Sequence, residues 1–183
     1  RMAGNQAEEG GRRTQQRKKQ RKTKMRITLI TVGKLKEKYW GDAVSEYAKR
    51  LGRYCRLEIV QVADEKTPDG AGKAAEDQIR EREGERILAQ IREGAFVIAL
   101  EIGGKALSSE EMAAMLDRLG VQGVSHIQFI IGGSLGLSAA VQKRADYLLS
   151  FSRMTFPHQL MRAILLEQIY RSYRIIPGEP YHK

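Results

Sequence analysis

The chain has 183 residues, 42% of them hydrophobic, which suffices to bury one sizeable core, and it carries a formal net charge of +10. Cys55 is its sole cysteine, which excludes an internal disulfide and suits a reducing cytoplasm. No apolar run approaches the roughly 20 residues of a membrane-spanning helix, and His126, His158 and His182 stand apart with no Cys or His at ligand spacing, which argues against a metal.

Residues 1–24 hold nine Lys or Arg against Glu8 and Glu9, with no Ile, Leu, Val or aromatic side chain. Burial cannot offset the entropy of ordering such a segment, so it is expected to be a disordered basic extension ahead of one domain over 25–183. If native, its clustered cations suit nonspecific binding to RNA phosphates. An upstream remnant ahead of a start at Met25 is the equal alternative.

From Met25 onward, β-branched runs alternate with helical periodicities, the rhythm of an α/β domain. Strands are predicted over Arg26 to Val32, Arg56 to Val62, Ala95 to Ile102, His126 to Ile131 and Tyr147 to Ser152. The third and fourth are nearly unbroken apolar runs, which suit central parallel strands covered on both faces. Between the first two strands, Trp40, Val44, Tyr47, Ala48 and Leu51 recur at helical spacing. Cys55, just beyond, reads as a packed small hydrophobe rather than a nucleophile. Turn chemistry makes residues 67–72 a loop, and a charged helix is predicted from Ala74 to Glu93 with Ile79, Ile87, Leu88 and Ile91 inward. Next, Ser108 and Glu111 form a capping box for a helix whose inner face is Met112, Met115, Leu116 and Leu119, with Gly120 placed as its C-terminal cap.

After the fourth strand, Gly132, Gly133 and Gly136 form a turn, and Ser138 is the expected N-cap of a helix from Ala139 to Arg144. The turn departs from the dinucleotide fingerprint in spacing, in strand position and in lacking an acidic residue farther on. Gly103-Gly104-Lys105 likewise lacks phosphate-loop spacing and reads as a tight strand-to-helix turn. Residues 151–156 then precede Pro157, which suits the first turn of a helix whose inner face is Leu160, Met161, Ile164, Leu165 and Ile169. His158 reads as a structural residue at that helix start. Backbone amides and carbonyls of 151–156 can bracket an adenine edge, although spacing alone equally describes a connector.

Three segments in order carry a resemblance. Gly132-Gly133-Ser134-Leu135-Gly136-Leu137-Ser138, Leu149 through His158, and Pro180-Tyr181-His182-Lys183, joined by the helix from Leu160 to Arg171, resemble the RlmH family of SPOUT-superfamily methyltransferases. Met25-Arg26-Ile27 and Val32-Gly33-Lys34 resemble that family's first strand, so the likeness spans residues 25–183. It implies a SPOUT-type α/β knot: a mostly parallel sheet with helices on both faces and a C-terminal trefoil knot. It also implies methyl transfer from S-adenosyl-L-methionine, without a metal, to N3 of a pseudouridine in 23S ribosomal RNA of the large subunit. The implied enzyme is a cytoplasmic homodimer, and its implied substrate is the assembled ribosome. Donor-binding positions carried over are Leu100, Gly133, Phe151, Ser152, Arg153, Met154, Thr155 and Phe156, with Gly132 adjoining them as a backbone-clearance residue. Tyr181, His182 and Lys183 match the C-terminal segment that approaches RNA.

A sulfonium methyl is already activated, so alignment and exclusion of water are the main demands of such a reaction. The harder demand is an imide N3 that holds its proton at neutral pH. His182 or Tyr181 is the expected proton relay, and Arg153, Arg162 or Lys183 the expected cation beside the developing anion. Arg162, Tyr181, His182 and Lys183 are the expected RNA contacts. The alternatives are a SPOUT enzyme with another RNA target such as tRNA, or a non-catalytic RNA-binding assembly protein, which leaves the glycine turn and the 151–156 loop without a purpose.

Overall fold

The computed structural model describes residues 23–182. The expected disorder of residues 1–22 and the expected RNA contact of Lys183 lie outside the described residues. Lys24, assigned to the basic extension, touches the body: its Nζ donates to the Gly52 carbonyl at 3.0 Å.

Five parallel strands form one sheet, β1 (Arg26–Val32), β2 (Arg56–Val62), β3 (Phe96–Ala106), β4 (His126–Ile131) and β5 (Tyr147–Ser150), in the order β2-β1-β4-β3-β5. Helices α1 (Lys38–Leu51), α2 (Lys73–Leu88), α3 (Ser109–Val121), α4 (Ala139–Arg144) and α5 (His158–Ile175) cover both faces. Side chains alternate along each strand, and the alternation assigns them to two cores. Ile27, Leu29, Ile127, Phe129 and Ile131 pack among α1, α3 and α5. Ile30, Val32, Val97, Ala99 and Ile130 face the other way, under Ile87 of α2 and Val141 of α4. Burial on both sides is what their near-continuous apolar sequence records, and each large side chain so buried contributes about 1.5–3 kcal/mol.

Several expected boundaries move, each for a visible reason. The third strand runs past Ile102 to Ala106, because Leu149 of β5 faces both Leu100 and Lys105 across a β-bulge. Gly103-Gly104-Lys105 therefore lies inside a strand and is no strand-to-helix turn; a Cβ on Gly104 would stand 2.7 Å from the Leu148 carbonyl oxygen. Helix α2 stops at Leu88 instead of Glu93, since buried Gln128 of β4 accepts from Arg92 N at 2.7 Å and donates to the Gln90 carbonyl at 3.1 Å, holding the exit turn. The capping box of α3 is present in both directions, Glu111 N to Ser108 Oγ at 3.1 Å and Ser108 N to Glu111 Oε2 at 2.7 Å. Its end is displaced: Gly120 is still helical, and Gly123, at φ 89, makes the turn while Val124 N donates to the Leu119 carbonyl at 3.0 Å. Strand β5 ends at Ser150, which leaves Phe151 and Ser152 to the following loop.

Strands β3 and β4 are neighbours, yet the helices that follow them lie on opposite faces of the sheet. Such a reversal opens a crevice beyond the carboxyl ends of the strands.

Candidate active site

The crevice is a cavity of about 700 Å³. Residues 100–102 of bulged β3, the turn 131–137 after β4, most of 149–158, and Met161 of α5 wall it. Its size falls within the range of small-ligand sites.

The turn after β4 folds back on itself. Gly136 N donates to the Gly133 carbonyl at 3.1 Å, and Gly136 sits at φ 83, where a side chain would be strained. A Cβ on Gly132 would stand 2.9 Å from Leu137 Cδ2, so this glycine is required by the turn's own packing. Ser138 then caps α4 by accepting from Val141 N at 3.3 Å. From behind, α2 braces the turn: Arg80 Nη1 donates to the Leu135 carbonyl at 3.3 Å, and a Cβ on Gly133 would lie 2.8 Å from Glu83 Oε2. Glu83 is 4% exposed; its Oε1 accepts from Glu65 N at 3.1 Å, while Oε2 has no partner. Burial pushes this carboxyl above the usual range, partly opposed by the Glu65 bond.

The loop from β5 to α5 is held by its own serines. Ser152 Oγ accepts from Met154 N at 3.0 Å, and Ser150 Oγ donates to the Ser152 carbonyl at 3.2 Å. Met154 and Phe156 line the cavity yet are 72% and 38% exposed, so they stand at its mouth.

Of the residues expected at the donor site, Leu100, Gly132, Gly133, Phe151, Ser152, Met154, Thr155 and Phe156 line this one cavity, and Arg153 is exposed beside it. Tyr181 and His182 lie elsewhere in their own chain. Tyr181 Oη donates to Glu167 Oε1 at 3.1 Å, with the Arg171 guanidinium over its ring. His182 Nε2 meets Glu110 Oε1 at 2.7 Å and Nδ1 meets Arg171 Nη1 at 3.2 Å. Because Arg can only donate, Nδ1 accepts and Nε2 carries the proton toward Glu110.

Arg162 is a correction. It is 1% exposed, and Nη2 donates to the Val32 and Gly33 carbonyls at 2.8 and 2.9 Å, so this guanidinium ties α5 to the end of β1 and is out of reach of RNA. Apolar spacing gave no warning, because the position falls on the inner face of a helix where long cations rarely go unpaired. Sequence reasoning also missed Glu101 and Ile102, which reach the wall only because of the bulge, and His158, which lines the cavity as well as starting α5. The glycine pair at 103–104 was the available signal for the bulge.

A parallel α/β domain with its cavity walled by a glycine turn and the loop before the last helix defines a class. Residues 25–182 match the family described as "Predicted SPOUT methyltransferase", and the chain belongs to it. It is 69% identical over 159 residues to Ribosomal RNA large subunit methyltransferase H of Bifidobacterium adolescentis, covering 87% of this chain and 100% of that one. The protein of the same name from Clostridium beijerinckii is 62% identical over the same coverage. Among solved structures, the A. aeolicus TrmH/SpoU tRNA modifying enzyme aligns at a TM-score of 0.48 and 12% identity, covering 92% of this chain and 85% of that one.

Proposed function

We propose that this chain transfers a methyl group from S-adenosyl-L-methionine to N3 of a pseudouridine in 23S ribosomal RNA, acting in the cytoplasm on the assembled ribosome. The observation that carries the reading is the gathering of residues 100, 132–133, 151–152 and 154–156, far apart in sequence, around one cavity. The names of the relatives at 69% and 62% identity supply the substrate class.

The lining fits the donor. Leu100, Ile102, Leu137, Leu149 and Phe151 offer apolar walls for an adenine, the backbone of 132–136 and 151–156 offers hydrogen-bonding groups, and Glu101 supplies negative charge beside a cationic ligand. When bound, the donor supplies a methyl group on a positively charged sulfur. The chain's own residues do the rest. The glycine turn, braced by α2, and the serine-pinned loop hold the adenosyl part, while Met154 and Phe156 at the mouth exclude water around the reacting groups. The target base enters unstacked, since its N3 edge is hidden in a duplex.

Tyr181 and His182 complete the site from a second copy of the chain, as a homodimer would allow. In their own chain they bond Glu167 of α5 and Glu110 of α3, neither of which lines the cavity, and this supports the arrangement. The C-terminal trefoil knot belongs to the same proposal; return of the chain from edge strand β5 to α5, packed beside α1, supports it. The test is to incubate the full chain and S-adenosylmethionine with assembled ribosomes, isolated ribosomal RNA and tRNA separately, then map methylation by mass spectrometry. Methyl on a pseudouridine of the large-subunit RNA, from ribosomes above all, is expected; methylation of tRNA alone overturns the substrate assignment. With His182→Ala, an unchanged pH–rate profile eliminates the imidazole as proton acceptor.

A further inference from the structure

His158 opens α5 and is one of the residues that line the cavity. No hydrogen bond engages its ring among the described residues. The charged groups bearing on it are Arg162 one turn along α5, Asp64 in the loop after β2 and Lys36 in the loop after β1. Two of these residues, Lys36 and Arg162, anchor the helix start that carries it: the Gln159 side chain accepts from Lys36 N at 3.4 Å, and Arg162 grips the Val32 and Gly33 carbonyls. The imidazole is thus set on a fixed stretch of helix bordering the ligand space, with its hydrogen-bonding capacity unused by the protein.

Its surroundings decide the form it takes. Burial first, then the Arg162 charge and Lys36, push the imidazole below its ordinary value, with Asp64 opposing them, and the amino end of a helix also disfavours an added positive charge. At neutral pH the ring is uncharged, with one N–H to give and a poor affinity for another proton. A group of this kind is ill suited to take the proton from N3. It is well suited to donate to an oxygen on which negative charge grows.

Resting on the methyltransferase reading, the geometry points to His158 as the catalytic hydrogen-bond donor to a carbonyl oxygen of the target base, stabilising the imidate formed when N3 loses its proton. The N3–H bond breaks with its electron pair left on the base, and the proton leaves for water or for the C-terminal tail. The charge spreads from N3 to the flanking carbonyl oxygens, one of which His158 holds. The N3 lone pair then forms the N–C bond as the methyl carbon parts from sulfur, which keeps the electrons of the broken bond. No proton passes through His158.

The experiment compares wild type, His158→Ala and His158→Asn as full chains on assembled ribosomes from neutral to alkaline pH, with donor affinity by calorimetry and thermal unfolding on the same preparations. His158→Ala is expected to lower kcat about 100-fold at neutral pH, as loss of one such donor does, and Asn, whose amide restores an N–H, to recover part of it. Donor affinity stays near wild type. Loss of the donor makes N3 harder to ionise, so the alkaline rise of kcat shifts upward by about two pH units, the same fold-change read on the pH axis. A merely structural role would scale kcat equally at every pH, and that result overturns the assignment, as does an unchanged kcat or a matching loss of donor affinity. Should the alanine variant unfold, the profile of the Asn variant decides by the same criterion. Wild type that leaves pseudouridine unmethylated overturns the substrate reading, whereas active wild type with an equally active His158→Ala overturns the role of His158 alone.

Discussion

Replacing Gly104 by alanine strikes the β-bulge that shapes the cavity wall. The new Cβ would lie 2.7 Å from the oxygen and 2.8 Å from the carbon of the Leu148 carbonyl, and 3.0 Å from the Glu101 oxygen. All three are main-chain atoms, two of them in the paired strand β5, so no rotamer change relieves the overlap. Relief requires β3 and β5 to part at the point where Leu100 and Leu149, both wall residues, face each other. Overpacking of this sort costs about 1–3 kcal/mol, and a rigid neighbour puts Gly104→Ala at the upper end. For a domain of this size about 3 kcal/mol lowers Tm by roughly 6–12 °C. Gly103 supplies the control, since nothing lies within 4 Å of its would-be Cβ, and Gly103→Ala should stay within about 0.5 kcal/mol of wild type. Thermal and urea unfolding of the three proteins, with calorimetric titration of S-adenosylmethionine, gives the answer. Equal melting of the two variants would refute the steric argument; a destabilised Gly104→Ala with unaltered donor affinity would refute the link between bulge and cavity.

Removing the α3 cap with Ser108→Ala should cost about 0.5–2 kcal/mol, seen as a lowered urea midpoint; an unmoved midpoint would mean that the hydroxyl's bond to Glu111 N contributes nothing. Arg162→Met should destabilise the fold by about 1–3 kcal/mol, by orphaning the Val32 and Gly33 carbonyls, while leaving the salt dependence of RNA binding unchanged. A shallower salt slope in that variant would restore an RNA contact to Arg162. Glu83, whose folded pKa is raised by burial, contributes stability that is complete below the ordinary carboxyl range and is lost as pH rises through the raised value. Glu83→Gln should flatten that decline in urea midpoints measured across pH, and parallel curves for the two proteins would contradict it.

Much of the fold was written in local patterns. The strands at Arg26 to Val32, Arg56 to Val62 and His126 to Ile131 were readable to the residue because their apolar content answers to burial on one or both faces. The Ser108 cap and the Ser138 cap were readable because each is a contact over three residues. What escaped depends on partners distant in the chain. Gln128, 36 residues beyond Arg92, decides where α2 lets go; the second register of β5 on β3 decides where that strand ends; and the carbonyls of Val32 and Gly33, 130 and 129 residues away, turn Arg162 inward. The cavity itself was legible only through resemblance, since no spacing rule joins Leu100 to Phe151. His158 was legible as a helix start, and its second office at the wall follows from which way α5 enters.

The brace behind the glycine turn gives the molecule a lever. Arg86 clamps Glu65 and donates to the Ala63 carbonyl at 2.9 Å, Glu65 N holds Glu83, and Glu83 abuts Gly133. The 63–65 segment is thereby joined through α2 to Gly133 by contacts that all lie behind the cavity wall until that glycine. A side chain at position 133 would therefore meet a buried carboxylate rather than open space, which ties the shape of that stretch of wall to residues at the back of the sheet.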